Sequence, residues 1–489
     1  MIRDLKPYPE YRDSGVEWLG GIPAHWEVRR QRGCVRVLVS NTDKRVEVDE
    51  IPVRLCNYTD VYRNDRITGR LGFLRATATP EEVERFRLRV GDVIITKDSE
   101  SWTDIGVPAL VECEAPDLLC GYHLALLRPR HGVVYGGFLL RAIQSPGVAC
   151  QYHIGANGVT RYGLSLGAIK DVLIPVPRFL EQIGIARFID HVDRRIRRYI
   201  RSKQKLIALL YEQKQAISHR AVTRGLDPHV RLRPSGNVWF PELPRHWSLL
   251  SLRRVIHTAV DGPHYSPSYL DSGIPFLSAR NIKADRWSLE DVKFVSEEDY
   301  RQFCKRVVPE PGDVLYTKGG TTGVARVVDL GYRFQVWVHV AVLKVNRRRV
   351  TSEFLAATLN TPRCYEQSQL FTRGATNQDL GLARMKDIVL PVPPVSEQEA
   401  IVRFLGDMTA GFGRAINAAQ REIALLREYR TRLIADVVTG KLDVREAATQ
   451  LPVEAEEPEL LDDPGALAED TSEETETTGP DAALEEAEA

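Results

Sequence analysis

Two acidic–basic pairs at one spacing invite a catalytic reading. "GDVIITK" sets Asp92 five residues before Lys97, and "GDVLYTK" sets Asp313 five before Lys318. A metal-dependent nuclease needs several carboxylates converging on one or two cations, with a lysine nearby. Only one Asp recurs in this motif, and the acidic-x-Lys triplet Asp291-Val-Lys293 has no counterpart in the first half. Cys113, Cys120, His123, Cys150 and His153 offer zinc-ligand atoms, but their spacing follows no zinc pattern. Among them only His123 has a later echo, His339. Cysteines of this kind read instead as small apolar core residues. The chain has no Gly-x-x-x-x-Gly-Lys-Ser/Thr phosphate loop and no Asn/Asp-Pro-Pro-aromatic tetrapeptide of the amino-methylating kind. "GFGRAI" at Gly411 opens like a dinucleotide fingerprint, yet it follows no strand and falls inside a heptad pattern. No catalytic residue, metal or cofactor is therefore expected in this chain.

The elements that carry these residues are written twice. "SGVEWLGGIPAHW" from Ser14 reappears as "SGNVWFPELPRHW" from Ser235, and the two lysine motifs keep that displacement of 221. Further on the displacement is 216: His123 meets His339, "KDVLIPVP" from Lys170 meets "KDIVLPVP" from Lys386, and Glu181–Gln182 meets Glu397–Gln398. "IALL" at Ile207 and Ile423 closes the series. One register over so many landmarks is an internal duplication with a five-residue deletion in a loop of the second copy. Trp18, Trp26, Trp239 and Trp247, with His25 and His246, are expected to anchor the chain where it enters each copy. "RVGDVIITK" and "DVLIPVP" read as strands bounded by Gly and Pro, and "SEFLAATLNTP" reads as a short helix stopped by Pro362.

Each copy ends in a heptad pattern. Ile189, Val192, Ile196, Tyr199, Lys203, Leu206, Leu210, Gln213 and Ile217 alternate three and four apart. They are matched by Leu405, Met408, Phe412, Ala415, Ala419, Glu422, Leu426, Tyr429 and Leu433. This predicts two rods of about 60 Å at 1.5 Å per residue, burying their seams against each other as a coiled coil. Gly411 and Gly413 cost about 1 kcal/mol each inside a helix, which predicts a bend or loosening of the second rod.

The formal net charge of zero hides an asymmetry. Sixteen acidic residues and no basic ones follow Arg445, so of 66 basic and 66 acidic residues the first 445 hold 66 against 50. A body with that surplus is an ordinary footprint for nucleic acid, and the acidic, aromatic-poor end is expected to be disordered. No apolar run reaches the ~20 residues that span a bilayer, and seven cysteines without a Cys-x-x-Cys pair suit reduced thiols in a cytoplasm.

Over residues 8–445 the chain resembles the specificity subunits of type I restriction–modification systems. The phrases that carry the resemblance are "YRDSGVEWLGGIPAHWEV", "LIPVPRFLEQIGIARFID", "KLIALLYEQKQAISHRAVTRGLDP", "LPVPPVSEQEAIVRFL" and "REIALLREYRTRLIADVVTGKLDVRE". The degraded second entry phrase, the helical glycines and the acidic extension depart from the family pattern. The resemblance implies an α/β (α+β) fold: two tandem target-recognition domains separated by two long helices in an antiparallel coiled coil. The expected segments are 1–178 and 225–393 for the recognition domains, 179–224 and 394–445 for the helices, and 446–489 for a disordered acidic tail.

By the same resemblance each domain reads one half of a bipartite site on double-stranded DNA, and the coiled coil sets the gap. Two methyltransferase subunits that modify adenine N6 with S-adenosylmethionine, and two restriction/translocase subunits using ATP and Mg2+, supply the catalysis. The residue-level reading leaves a rival open: a standalone, duplicated DNA-binding scaffold or regulator. Candidate DNA contacts are basic, hydroxyl or amide residues on loops after strands, where backbone approach and flexible donors suit phosphates and base edges. These are Lys97, Thr160, Arg161 and Tyr162 in the first copy, and Lys318, Thr321, Thr322, Thr376, Asn377 and Gln378 in the second. The alternative for each is a solvated or turn residue.

Overall fold

The computed structural model describes residues 5–374 and 379–452. It divides into two compact units: Met1–Ile196 with Glu428–Ala489 form unit 1, and Arg197–Arg427 form unit 2. The division cuts both long helices, so each unit holds one piece of each.

Unit 1 is built on a five-stranded sheet in the order Val35–Val39, Leu124–Pro129, Val93–Thr96, Pro108–Val111, Arg66–Ile67. The central strand, Val-Ile-Ile-Thr, is buried along its whole length; β-branched residues suit a strand covered on both faces. A second sheet joins Leu118–Cys120, Ile51–Cys56 and Leu74–Ala78. Unit 2 repeats the plan with Ile256–Asp261, Val340–Val345, Val314–Thr317 and Ala325–Val327. Its second sheet joins Lys293–Val295, Ile274–Leu277 and Gln335–Val336. Pro362 does more than end the helix Ser352–Leu359: it occupies the first turn of the next helix, Pro362–Phe371, where its missing N–H has no intrahelical role.

The repeated entry phrase clamps the start of each long helix. In unit 1 the strand Gly21–Pro23 pairs with Tyr11–Asp13, and Trp26 is fully buried. Trp26 Nε1 donates to Glu181 Oε1 at 3.1 Å, Tyr8 Oη donates to the same oxygen at 2.8 Å, and His25 Nε2 meets Glu181 Oε2 at 2.9 Å. Burial, then the Glu181 charge, pushes the Tyr8 phenol far above its ordinary range. In unit 2 Trp247 Nε1 and His246 Nε2 reach Glu397 Oε2 at 3.1 and 2.8 Å.

The neighbouring glutamines are fully buried and spend every polar atom on backbone. Gln182 donates to the carbonyls of Val133 and Pro177 and accepts from Tyr135 N–H. Gln398 does the same with Arg349, Pro393 and Thr351. The Glu-Gln pair is thus a joint between the start of each long helix and the loops packed against it, which explains why one chain writes it twice.

The long helices run Phe179–Arg224 and Val395–Val438, the second passing through Gly411 and Gly413 without interruption. Within unit 1 a Cβ on Gly184 would lie 3.6 Å from Ala448, and Arg430 pairs with Asp193. Within unit 2 Lys203 Nζ is 2.5 Å from Glu422, and a Cβ on Gly225 would lie 2.9 Å from Glu397. In unit 2 rising numbers face falling ones, so the helices pack antiparallel there.

Among the heptad positions, Ile189, Ile196, Lys203, Leu210 and Ile217 turn inward or sit half-buried, as do Leu405, Phe412, Ala419, Leu426 and Leu433. Val192 is buried and Met408 half-buried. Tyr199, Leu206, Gln213, Ala415, Glu422 and Tyr429 face solvent, and the residue after each is the less exposed one: Ile200, Ile207, Lys214, Ile416, Ile423 and Arg430. Spacings of three and four occur in the opposite order from the one expected.

The chain beyond Arg445 is not all tail. Arg445–Thr449 is helical, with Ala447, Ala448 and Leu451 buried; an acidic average over the segment concealed these apolar anchors. The rest of the expected disordered tail, residues 453–489, lies outside the described residues. Among the described residues no helix is long and apolar enough to cross a membrane.

Candidate functional site

The duplicated aspartates are structural. Asp92 is buried, accepts Arg89 N–H at 2.9 Å, and takes Arg128 Nε and Nη2 at 3.0 and 2.8 Å. Asp313 accepts Glu310 N–H at 2.8 Å and Lys344 Nζ at 2.7 Å. Each carboxylate ties the turn before the central strand to a cation from the adjacent strand, so its oxygens are committed. Of the cysteines offered as zinc ligands only Cys120 is buried in the core, while Cys113 and Cys150 are half-buried; burial pushes the Cys56 and Cys120 thiols well up, and Cys364 up to about 12. Among the described residues no three His, Cys, Asp or Glu side chains gather as a metal-ligand set.

The duplicated lysines sit where each central strand ends. Lys97 N–H bonds His123 O at 2.9 Å, and Lys97 O receives Leu164 N–H at 3.0 Å. Lys318 makes the same two bonds, to His339 O at 2.8 Å and from Leu380 N–H at 2.7 Å. This frame draws a hairpin loop onto the strand end in unit 1 and Leu380 onto it in unit 2, and it brings Arg161 and Tyr162 beside Lys97 and His123. Tyr162 is half-buried in register with Ser99, while Thr160 and Arg161 are exposed on the loop. Thr321 is exposed, but Thr322 is buried, its carbonyl accepting from Gln369. Thr376, Asn377 and Gln378 lie outside the described residues.

The two lysines differ in what surrounds them. Lys97 Nζ is 2.5 Å from Asp98 Oδ2, which also takes His123 Nδ1 at 3.0 Å. Burial opposes ionisation of Asp98, but the Lys97 and His123 hydrogen bonds outweigh it and hold the carboxyl below its usual range. With Nδ1–H spent on Asp98, His123 Nε2 is free to accept, and Arg161 Nη2 lies 3.0 Å from it. His123 reaches this place with φ +69°, uncommon for a residue with a Cβ. Tyr122, half exposed, lies against its ring with centroids 3.8 Å apart, and Tyr58 of the stacked Tyr58–Tyr62 pair hydrogen-bonds Ser99, next to Asp98. Lys318 is instead buried, with Asp379 Oδ1 at 2.7 Å and Asp261 Oδ2 at 3.4 Å. It presents no free ammonium at the surface, unlike the exposed loop cation its sequence context suggested.

The carboxylate has changed strands between the copies. Gly163 stands across from Asp98 in unit 1, and Asp379 stands across from Gly319 in unit 2. A Cβ on Gly163 would lie 2.8 Å from Asp98 Oδ1, and one on Gly319 would lie 2.1 Å from His339 Nδ1. In unit 1 the cross-strand pair therefore has room for one acidic side chain, whereas in unit 2 His339 excludes any side chain at Gly319. Asp98→Gly is expected to cost unit 1 about 1–3 kcal/mol by leaving Lys97 unpaired, while adding Gly163→Asp should recover at least half. A double-mutant cycle by chemical denaturation checks this; simple additivity would show that the exchange is not compensation.

Residue types alone concealed Asp98, Asp261 and Asp379 as partners. The one usable signal was the His123–His339 landmark. What the arrangement offers chemically is an exposed guanidinium, hydroxyls and aromatic faces at a strand end. That inventory suits binding to phosphates and base edges.

Comparison with known proteins agrees in direction. Residues 266–423 match the family described as type I restriction modification DNA specificity domain. The chain is 22% identical over 458 residues to the protein assigned as the MjaX type I restriction enzyme specificity subunit of Methanocaldococcus jannaschii, covering 91% of this chain and 100% of that one. It is 22% identical over 304 residues to the EcoBI specificity subunit of Escherichia coli, covering 61% and 64%. A solved chain from work on complex assembly and conformational transition of the type I R-M system superposes with a TM-score of 0.65 at 17% identity, over 86% of this chain and 99% of that one.

Proposed function

We infer that this chain, a specificity subunit of the type I restriction–modification family, reads a bipartite site on double-stranded DNA, one half per unit. One observation carries this reading: both units hold the same frame at the end of the central strand but dress it differently. Unit 1 presents Arg161 over His123, and unit 2 buries its lysine and carries Asn377 at the matching sequence position. A shared frame with different side chains is what two independent base readers require. In unit 1 the reading group is Arg161, since a guanidinium can grip guanine O6 and N7 together, with Asp98 and His123 orienting it. Lys97, beside it, supports the phosphate-facing side of the same loop.

Catalysis in this reading belongs to partner subunits in the cytoplasm: two that methylate adenine N6 with S-adenosylmethionine, and two that translocate and cut DNA with ATP and Mg2+. The chain itself binds, positions and selects. Co-expression with a cognate methyltransferase subunit, followed by single-molecule mapping of methylated adenines, is expected to give a split site. Replacing residues 27–170 with the equivalent domain of a relative should then change one half and leave the other. A site rewritten in both halves would overturn independent reading, and DNA binding without any methylation would favour the standalone scaffold.

A further inference from the structure

Unit 1 carries a groove away from the strand-end site, where the first turns of the long helix meet the helix Arg445–Thr449. Its volume is about 650 Å3, within the size range of ligand pockets. Leu180, Ile183 and Ala448 form an apolar floor, and Arg178, Arg187 and Arg445 stand around it. Leu180 is 82% exposed, unusual for a leucine in the first turn of a long helix. Arg445 is engaged with Asp443 and lies over the Tyr8 ring. Arg178 and Arg187 are exposed, and their guanidinium groups have no partner among the described residues.

The described chain stops at Pro452, three residues past Thr449 on the rim of this groove. Residues 453–461 read Val-Glu-Ala-Glu-Glu-Pro-Glu-Leu-Leu: four carboxylates interleaved with Val453, Leu460 and Leu461. We propose that this segment of the same chain occupies the groove. Its leucines match the apolar floor and its glutamates match the two free arginines. Eight residues from Pro452 to Leu460 reach up to about 27 Å when extended, enough to cross a cavity of this size. A short tether supplies an effective concentration on the order of millimolar, so a contact too weak to be seen between separate molecules is filled within one chain. The acidic extension is then a tethered competitor for this face of unit 1, and any protein that docks there must displace it.

The test keeps the full chain and uses a fluorescent peptide of residues 453–463 as probe. Leu460→Ser with Leu461→Ser disables the internal segment without touching unit 1. The disabled chain is expected to bind the peptide at least tenfold tighter than the native chain, whose groove is already filled. Adding Arg187→Glu or Leu180→Ser to the disabled chain should weaken binding at least fivefold, with an unchanged melting temperature showing that the fold is intact. Equal binding to native and disabled chains overturns the proposal. So does equal binding of a scrambled peptide of the same composition, which would reduce the contact to bulk charge.

Discussion

Gln398→Leu is expected to destabilise the protein by roughly 3–5 kcal/mol while leaving the apolar packing nearly unchanged in volume. The fully buried carboxamide serves Thr351 N–H and the carbonyls of Arg349 and Pro393. Each buried group left without a partner costs about 1–3 kcal/mol, and the three cannot satisfy one another. Gln182→Leu should cost a similar amount through Tyr135, Val133 and Pro177. Thermal unfolding followed by circular dichroism measures both, with a drop on the order of 6–15 °C for units of this size. A loss below about 1 kcal/mol would mean that water takes over the carboxamide's place and that the joint is less strict than its geometry suggests. Truncating Glu397 strands one buried donor rather than three groups, the Trp247 indole N–H, because its other partner, His246, is exposed.

The second large effect belongs to Lys318. Lys318→Met keeps the length of the side chain and removes its charge, leaving Asp379 without its cation; Asp261 retains Arg306 and His264. Removing one member of a buried pair costs about 3–5 kcal/mol, but Asp379 is 38% exposed and the buried Asp261 keeps its partners, which brings this case down to about 2 kcal/mol. A pH signature separates this pair from simple packing. Burial, and then the Lys318 charge, lowers the His339 pKa from its ordinary value. A histidine whose folded pKa is depressed binds fewer protons folded than unfolded, so stability falls as pH drops through the unfolded pKa near 6.5. In Lys318→Met the repulsion is gone, the His339 pKa rises toward normal, and the stability lost between pH 7.5 and pH 5.5 should shrink. An unchanged pH slope alongside a large overall loss would assign the effect to packing alone.

Lys318 also shows where sequence reading stops. Its motif, the apolar run Val-Leu-Tyr ending in Thr-Lys before Gly-Gly, located the strand and its end correctly, because apolar patterning and glycine punctuation are local properties. Its partners, Asp261 and Asp379, lie 57 residues before and 61 after it, and nothing local announces them. Burial of the lysine was therefore invisible, and residue type alone made it resemble an exposed cation.

The long helices illustrate a finer limit. A heptad pattern can be threaded as three-then-four or four-then-three, and the two share every seventh residue. Ile196 and Leu210 belong to both threadings, whereas Leu206 and Ile207 are both apolar and compete for one inward place. Only packing chooses, and it chooses Ile207. The entry phrase was legible as an anchor because tryptophans at a fixed displacement have few other uses. That its target was the Glu-Gln pair emerged from hydrogen bonds spanning about 150 residues.

Unit 2 is one uninterrupted stretch, Arg197–Arg427, whereas unit 1 needs both the first 196 residues and those from Glu428 onward. On the ribosome these two arrangements mature in different order. Domains generally fold as units, at synthesis rates of about 5–20 residues per second. The stretch synthesised second is therefore complete first, while the part made at the outset waits for Arg430 to meet Asp193 and for the turn at Gly440 to close against Pro23 and Trp26. A transcript cut before that turn leaves the part made first without the Gly440 contact to Pro23 and Trp26.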